Sequence, residues 1–278
     1  MLFSAQQPIL NHFKRAALVV GHPGHELKVL GWLSLAQPRV YLITDGSGRH
    51  GIPRTNSTQR LIARLGAAHD QVFGVISDAG MYRAILEQDS AFFLELVDRI
   101  AESFINHEIS SVVGDAAEGF NPTHDLCRTM INAAVSIAES VSRREIPNFE
   151  FCLTEWERNA PEQEHDDRCL HLMLDNTELE NKLAAAEAYV ELRNEVRSAI
   201  ASRGPNYFRL ECLRRVVDPA SLNSDSIKPL YERWGEQRVA EGEYSSVIRF
   251  EKHVLPLMET ILDHAAQAAG TAQPTMTR

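Results

Sequence analysis

The stretch AALVVGHPGHE, residues 16–26, decides the fold. Five apolar residues, Ala16 to Val20, run without a polar break into Gly21. A run so short and uniform reads as a strand buried on both faces, as in a parallel sheet covered by helices. Working outward, the strand reading takes AALVVG (Ala16 to Gly21), RVYLIT (Arg39 to Thr44), QVFGVIS (Gln71 to Ser77) and SSVVGD (Ser110 to Asp115). Helical patterns lie between and after them, at Leu27 to Ala36, Ser57 to Ala68, Ser90 to Asn106 and His124 to Ser142. NFEFCLTEW, from Asn148 to Trp156, reads as one more strand. Alternation of this kind predicts βαβ units, hence an α/β, Rossmann-like three-layer fold with a mostly parallel sheet.

Beyond Pro161 the chain changes character. NTELENKLAAAEAYVELRNEVRSAIASR, residues 176–203, reads as one long charged helix that stops at Gly204 and Pro205. The expected organisation is an α/β metal-binding core over residues 1–160, a helical cover packed on it over 161–269, and a disordered tail over 270–278. EQEHDD, residues 162–167, reads as a solvated loop. GEQRVAEGEYSSVIRFEKHV, residues 235–254, reads either as a solvated loop leading to the last helix or as cover folding back over a pocket.

A net charge of −10, with no basic stripe interleaved with aromatics, argues against nucleic acid as a partner. No apolar run reaches the roughly 18 residues of a membrane span. The N-terminal segment MLFSAQQPILNHFKRAALVV lacks the order of a signal peptide, so a cytoplasmic protein is expected. The four cysteines, Cys127, Cys152, Cys169 and Cys212, are scattered without a CxxC. Their spacing suggests neither a thiolate zinc site nor a disulfide framework, and they read as mostly buried thiols.

In an open parallel sheet, ligands bind beyond the carboxyl ends of the strands. Three polar segments follow strands there: HPGHE (His22 to Glu26), TDGSGRHGIPR (Thr44 to Arg54) and GDAAEGFNPTHD (Gly114 to Asp125). HxxH spacing alone is weak in a chain with 11 histidines. Context raises it, because His22 and His25 leave the first strand while His124 opens a helix just after another. The trio reads either as three imidazole ligands leaving an open position on zinc or as unrelated core and surface histidines. DGSGRHG has neither the GxGxxG nor the GxxxxGK[ST] order, so it reads as a tight loop projecting Asp45, Arg49, His50 or Arg54 into the site, not as a dinucleotide loop. Asn121 or Thr123 caps the helix that follows.

These residues resemble the LmbE/PIG-L family of zinc-dependent N-acetylglucosaminyl deacetylases. The family's A-H-P-D-D-E is matched by Gly21, His22, Pro23, Gly24, His25 and Glu26, and its H-P-D-H by Asn121, Pro122, Thr123 and His124. Its R-x-x-E helix start, eleven residues before a Leu-Gly pair, is matched by Arg54 ahead of Leu65 and Gly66, with Ser57 where the glutamate is expected. The resemblance covers residues 15–145 and implies one Zn2+ held by His22, His25 and His124. His25 replaces an aspartate ligand, which raises the charge of the zinc site from +1 to +2; a site of three histidines is the kind that brings a zinc-bound water to a pKa of about 7.

The resemblance also implies two losses. The family's general base falls on Gly24, which has no side chain, and its oxyanion-assisting histidine falls on Asn121. Candidates for a relocated base are Asp45, Asp115, Glu26 and Asp125, each of which also reads as a cap, a loop brace or a partner of a histidine. Asp45 is favoured, because Gly24 vacates space and the DGSG turn could reach it. Arg54, Glu118 and Phe120 are expected at the substrate, Phe120 either stacking on a sugar ring or simply packing. The expected function is zinc-dependent removal of an N-acyl, most plausibly N-acetyl, group from an amino-sugar or similar small metabolite. Hydrolysis of another amide or ester, and a non-catalytic metal- or ligand-binding descendant, stay open, as does oligomeric state.

Overall fold

In the computed structural model, residues 13–48, 51–154, 168–218 and 228–271 are described. The apolar runs form β1 (Ala16–Val20), β2 (Arg39–Thr44), β3 (Ala68–Ile76) and β4 (Ser111–Asp115), followed by β5 (Asn148–Phe151). All five are parallel to their neighbours in this group. Two strands from the second half complete one sheet in the order β3-β2-β1-β4-β5-β7-β6: β7 (Leu210–Arg215) pairs antiparallel with β5, and β6 (Cys169–Met173) antiparallel with β7. The part of the chain expected to be helical cover therefore also extends the sheet. Neither CLHLM nor LECLRR alternates cleanly: in the second, Glu211 lies on the buried face beside Leu213, so the pattern gives no strand signal.

The helices are α1 (Leu30–Ala36), α2 (Thr55–Arg64), α3 (Asp78–Leu86), α4 (Ser90–Asn106), α5 (Pro122–Ser142), α6 (Asn176–Ala188), α7 (Arg193–Arg203), α8 (Leu230–Ala240) and α9 (Leu255–Thr271). They cover both faces of the sheet, giving a Rossmann-like three-layer fold. On one face Tyr41, Ile43 and Val19 pack under Phe93, Ile100, Phe104 and Met130 of α4 and α5, with Leu257 and Ile261 of α9. On the other, Leu18, Val20 and Leu42 pack with Trp32, Leu33, Ile62, Leu179 and Leu213. Alternate residues of β1 thus enter opposite cores, which is why its sequence shows no polar break.

Two local features position the site. The chain leaves β1 toward β2 and β3 on one side, while β4 pairs with the other side of β1, so the carboxyl ends of β1 and β4 flank the switch point where such sheets bind ligands. Gly114 lets α5 approach β4 closely: a Cβ there would lie 2.4 Å from Ile131 and 2.6 Å from the Val19 carbonyl. The buried Arg128 guanidinium donates to the Asp115 and Phe149 carbonyls and to the Asn148 side chain, fixing α5 over the ends of β4 and β5.

The predicted helix over 176–203 is broken. α6 opens on a capping box between Asp175 and Glu178, ends at Tyr189, gives way to a 3-10 turn at Val190–Leu192, and resumes as α7. The break is caused by tertiary contacts made by Tyr189, Glu191 and Leu192 at the site. At the other end, α9 runs through Thr271, and the rest of the expected tail lies outside the described residues. So do Arg49, His50, the loop 162–167 and the last two residues of the predicted strand at 148–156.

Candidate active site

His22 and His25 follow β1, and His124 lies in the first turn of α5. Their rings meet: centroids are 5.3 Å apart for His22 and His25, 5.1 Å for His22 and His124, and 4.6 Å for His25 and His124. The HxxH turn is made by Gly24 at φ +104°, a left-handed conformation that favours glycine. Asn121 caps α5 by accepting from the Thr123 N–H at 2.9 Å, and Pro122 opens the helix, so His124 is held at a fixed angle to β1.

Each of the first two histidines is gripped through Nδ1 by a carboxylate. His22 Nδ1 lies 3.0 Å from Asp78 Oδ1 and 2.7 Å from Thr44 Oγ1. His25 Nδ1 lies 2.8 Å from Asp115 Oδ2, which also accepts the Gly21 N–H at 2.7 Å. Carboxylate contacts at one ring nitrogen fix the orientation and raise the basicity of the other, the arrangement metal-binding histidines use. Burial lowers the pKa of His22 against the pull of Asp78, and lowers that of His124 well below its ordinary value. Burial alone would raise Asp78 and Asp115, yet their contacts with His22 and His25 hold both below the usual carboxylate range.

Three buried polar atoms here, His22 Nε2, His124 Nδ1 and Asp115 Oδ1, make no hydrogen bond within the described residues. Leaving a buried polar atom unsatisfied costs about 1–3 kcal/mol. An occupant that meets them is favoured. His22 and His25, each with Nδ1 against a carboxylate, could together with His124 hold a divalent metal of the zinc type.

The other expected site residues have different posts. Asp45 Oδ1 accepts the Ser47 N–H at 2.9 Å, bracing its own turn. The Asp45 backbone passes close to β3, its Cα 3.6 Å from where a Gly74 side chain would begin. A Cβ on Gly24 would lie 2.3 Å from the Leu192 Cδ1 methyl. Asn121, expected at an oxyanion, spends its side chain on the α5 cap and on Tyr82. Glu118 accepts from the Leu153 and Thr154 N–H groups and the Thr154 hydroxyl, and Arg54 donates to the Gly46 carbonyl at 2.6 Å. Buried Asp125, its pKa pushed up to about 7 by desolvation, accepts from the Glu118 and Gly119 N–H groups. Burial likewise raises the Glu26 carboxyl, which accepts from the Gly24 N–H and the Thr58 hydroxyl.

Phe120 stacks near His124 with centroids 6.2 Å apart, and Trp234 of α8 meets Phe120 edge-on at 4.8 Å. Of the segment 235–254, read as loop or cover, the first part belongs to α8, whose Trp234 reaches this wall.

Sequence reasoning missed Asp78, Thr44, Tyr189, Glu191, Leu192 and Trp234. Asp78 follows a strand's carboxyl end, the same signal that marked Asp45 and Asp115. Thr44 ends β2 and opens the polar segment TDGSGRHGIPR, whereas Tyr189, Glu191, Leu192 and Trp234 come from distant segments. Glu191 accepts from the Ser57 hydroxyl at 2.8 Å, returning a carboxylate to the helix start where the resembled family carries its glutamate. The Tyr189 hydroxyl lies 2.8 Å from Thr58 Oγ1, beside Glu26.

No family model matches the sequence, and no curated protein matches it. Among solved structures, the zinc-inhibited form of teicoplanin deacetylase Orf2 matches with a TM-score of 0.50 and 13% identity, over 73% of this chain and 99% of that one. The chain has a deacetylase-like fold. A complex of a deacetylase of the teicoplanin pathway with bog gives a TM-score of 0.47 and 14% identity, over 73% of this chain and 99% of that one. A conserved protein of Thermus thermophilus, TT1542, gives 0.47 and 19%, over 73% of this chain and 94% of its own.

Proposed function

We propose that this chain is a metal-dependent hydrolase of the deacetylase type that frees an amine from a small N-acylated, sugar-like metabolite, with one divalent metal, preferably zinc, on His22, His25 and His124. The observation that carries it is the trio of imidazoles, two of them gripped by Asp78 and Asp115, around buried nitrogens with no partner within the described residues. The deacetylase-like fold supports it. A metal bound there supplies Lewis-acid polarisation of the scissile carbonyl and an acidified water nucleophile.

The chain's own groups do the rest. Asp78 with Thr44, and Asp115, keep the His22 and His25 rings from turning, so that Nε2 of each is the nitrogen left to bind. Phe120 and Trp234 form an apolar wall beside His124, suited to the face of a sugar ring. Leu192 keeps water and charge out of the position where the resembled family has its base. Asp115 acts through His25 rather than on substrate, which makes it a positioning residue.

The filled Gly24 position favours a second reading, a metal- or ligand-binding protein without turnover. One experiment separates the two. Zinc-loaded protein is assayed for amine release over N-acyl amino sugars and simple N-acyl amines, beside His124→Ala. Turnover that disappears with the metal in His124→Ala supports the hydrolase. Full zinc occupancy with no release from any of these substrates supports the second reading, and turnover unchanged in His124→Ala overturns the proposed centre.

A further inference from the structure

Pairing of the last two strands gathers a second set of metal donors, far from the histidines of the proposed site. In the β6–β7 register His171 lies across from Cys212, and Cys169 lies across from Arg214. Alternate residues of a strand share a face, so Cys169, His171 and Cys212 all project from one side of the sheet edge. Leu170, Leu172 and Leu213, the residues between them, belong to the core around Phe13 and Trp32 on the opposite side. One sulfur from each cysteine and one ring nitrogen of His171 lie within 4.8 Å of one another. The scatter of the cysteines along the sequence gave no hint of this, and of the four only Cys127 is buried.

We propose that Cys169, His171 and Cys212 form a second, thiolate-rich site that binds a zinc-type cation and staples the outer strand to the sheet. Zn–S bonds of about 2.3 Å and Zn–N bonds of about 2.0–2.1 Å put two ligands of a tetrahedral ion roughly 3.5–3.8 Å apart, so the cluster closes on an ion by moving about 1 Å. Two thiolates and an imidazole are soft and borderline donors, which select zinc-type ions over magnesium or calcium. Cys169 and Cys212 are half-buried and His171 is exposed, so an ion can enter from solvent and keep a water in the fourth position. Binding releases the two thiol protons. It leaves the ion with no net charge, against +2 at a site of three neutral histidines, so this site suits structure and the other Lewis-acid chemistry.

The place in the fold gives the staple a purpose. β6 is one of the two edge strands, paired on one side only, with β7, and an edge strand is the part of a sheet most prone to open or mispair. β7 stands three strands from β1, roughly 14 Å at 4.8 Å per strand, so the two centres bind independently.

The test uses the full chain, metal-free and reduced by a non-thiol phosphine, titrated anaerobically with Co2+. The expected result is a thiolate-to-cobalt charge-transfer band in the near ultraviolet that saturates at one equivalent of thiolate-bound metal and is bleached by Zn2+. It should vanish in Cys169→Ser/Cys212→Ser and persist in His124→Ala. Zn2+ affinity measured through this band should fall at least 10-fold in His171→Ala, where the exposed position puts no fold at stake. No charge-transfer band at saturating Co2+, or a band that survives in the double serine variant, overturns the proposal. So does unchanged zinc affinity in His171→Ala. The persistence of the band in His124→Ala keeps this outcome separate from the fate of the hydrolase reading.

Discussion

Restoring an aspartate at position 24 should damage this protein rather than repair it. Gly24→Asp must adopt φ +104°, where a residue with a Cβ carries about 1–3 kcal/mol of strain. Its Cβ also arrives 2.3 Å from Leu192 Cδ1, and overpacking of this kind costs about 1–3 kcal/mol more. The two together put the loss at about 2–6 kcal/mol, or roughly 4–24 °C in Tm at about 2–4 °C per kcal/mol for a chain of this size. Only the second part depends on Leu192. Leu192→Ala should therefore recover about 1–3 kcal/mol in the Gly24→Asp background, relative to its own effect in the native chain. The assay is a double-mutant cycle by thermal and urea unfolding of metal-free protein. A Gly24→Asp variant within about 0.5 kcal/mol of native, or additive effects of the two changes, would refute the view that Leu192 occupies the vacated position.

Other perturbations bear on the site and its frame. Asp115→Asn keeps the shape of the contact with His25 Nδ1 but removes its charge, and should weaken zinc binding by about 10–100-fold in a chelator competition; affinity within twofold of native would contradict the positioning role. Lys182→Met should cost about 3–5 kcal/mol in chemical unfolding, because it leaves buried Glu211 without the cation 2.7 Å away; a neutral change would mean that Glu211 finds another partner. Trp234→Ala removes the edge-on contact with Phe120 and should raise KM for a sugar substrate about 2–10-fold with zinc content unchanged; a fall in kcat alone would remove the wall from substrate binding.

Legibility in the sequence followed burial. β2 occupies Arg39–Thr44 and α4 occupies Ser90–Asn106 as their patterns indicate, because a strand buried on both faces and a helix with a side-chain cap at Asp89 carry their bounds locally. α3 escapes the sequence reading, and β6 and β7 hide inside a helical one, since both are short, lack strict alternation and, at Glu211, place a charge on the buried side. The break at Tyr189–Leu192 has no local signal. Strong helix formers surround it, and contacts with Thr58, Ser57 and Gly24, over a hundred residues away, override them. At the site, strand ends and the HxxH pair revealed which histidines meet. Their partners, the filling of Gly24 and the cysteine cluster depend on pairings that spacing along the chain does not encode.

The central claim, that His22, His25 and His124 hold one metal, is tested most directly by zinc X-ray absorption on Cys169→Ser/Cys212→Ser protein, which leaves the histidine site as the reporter. The expected result is one zinc per chain with a nitrogen and oxygen shell at about 2.0–2.1 Å, the outer-shell pattern of imidazole, and loss of that signal in a further His124→Ala variant. Failure to retain zinc, or an unchanged spectrum when His124 is removed, would contradict it.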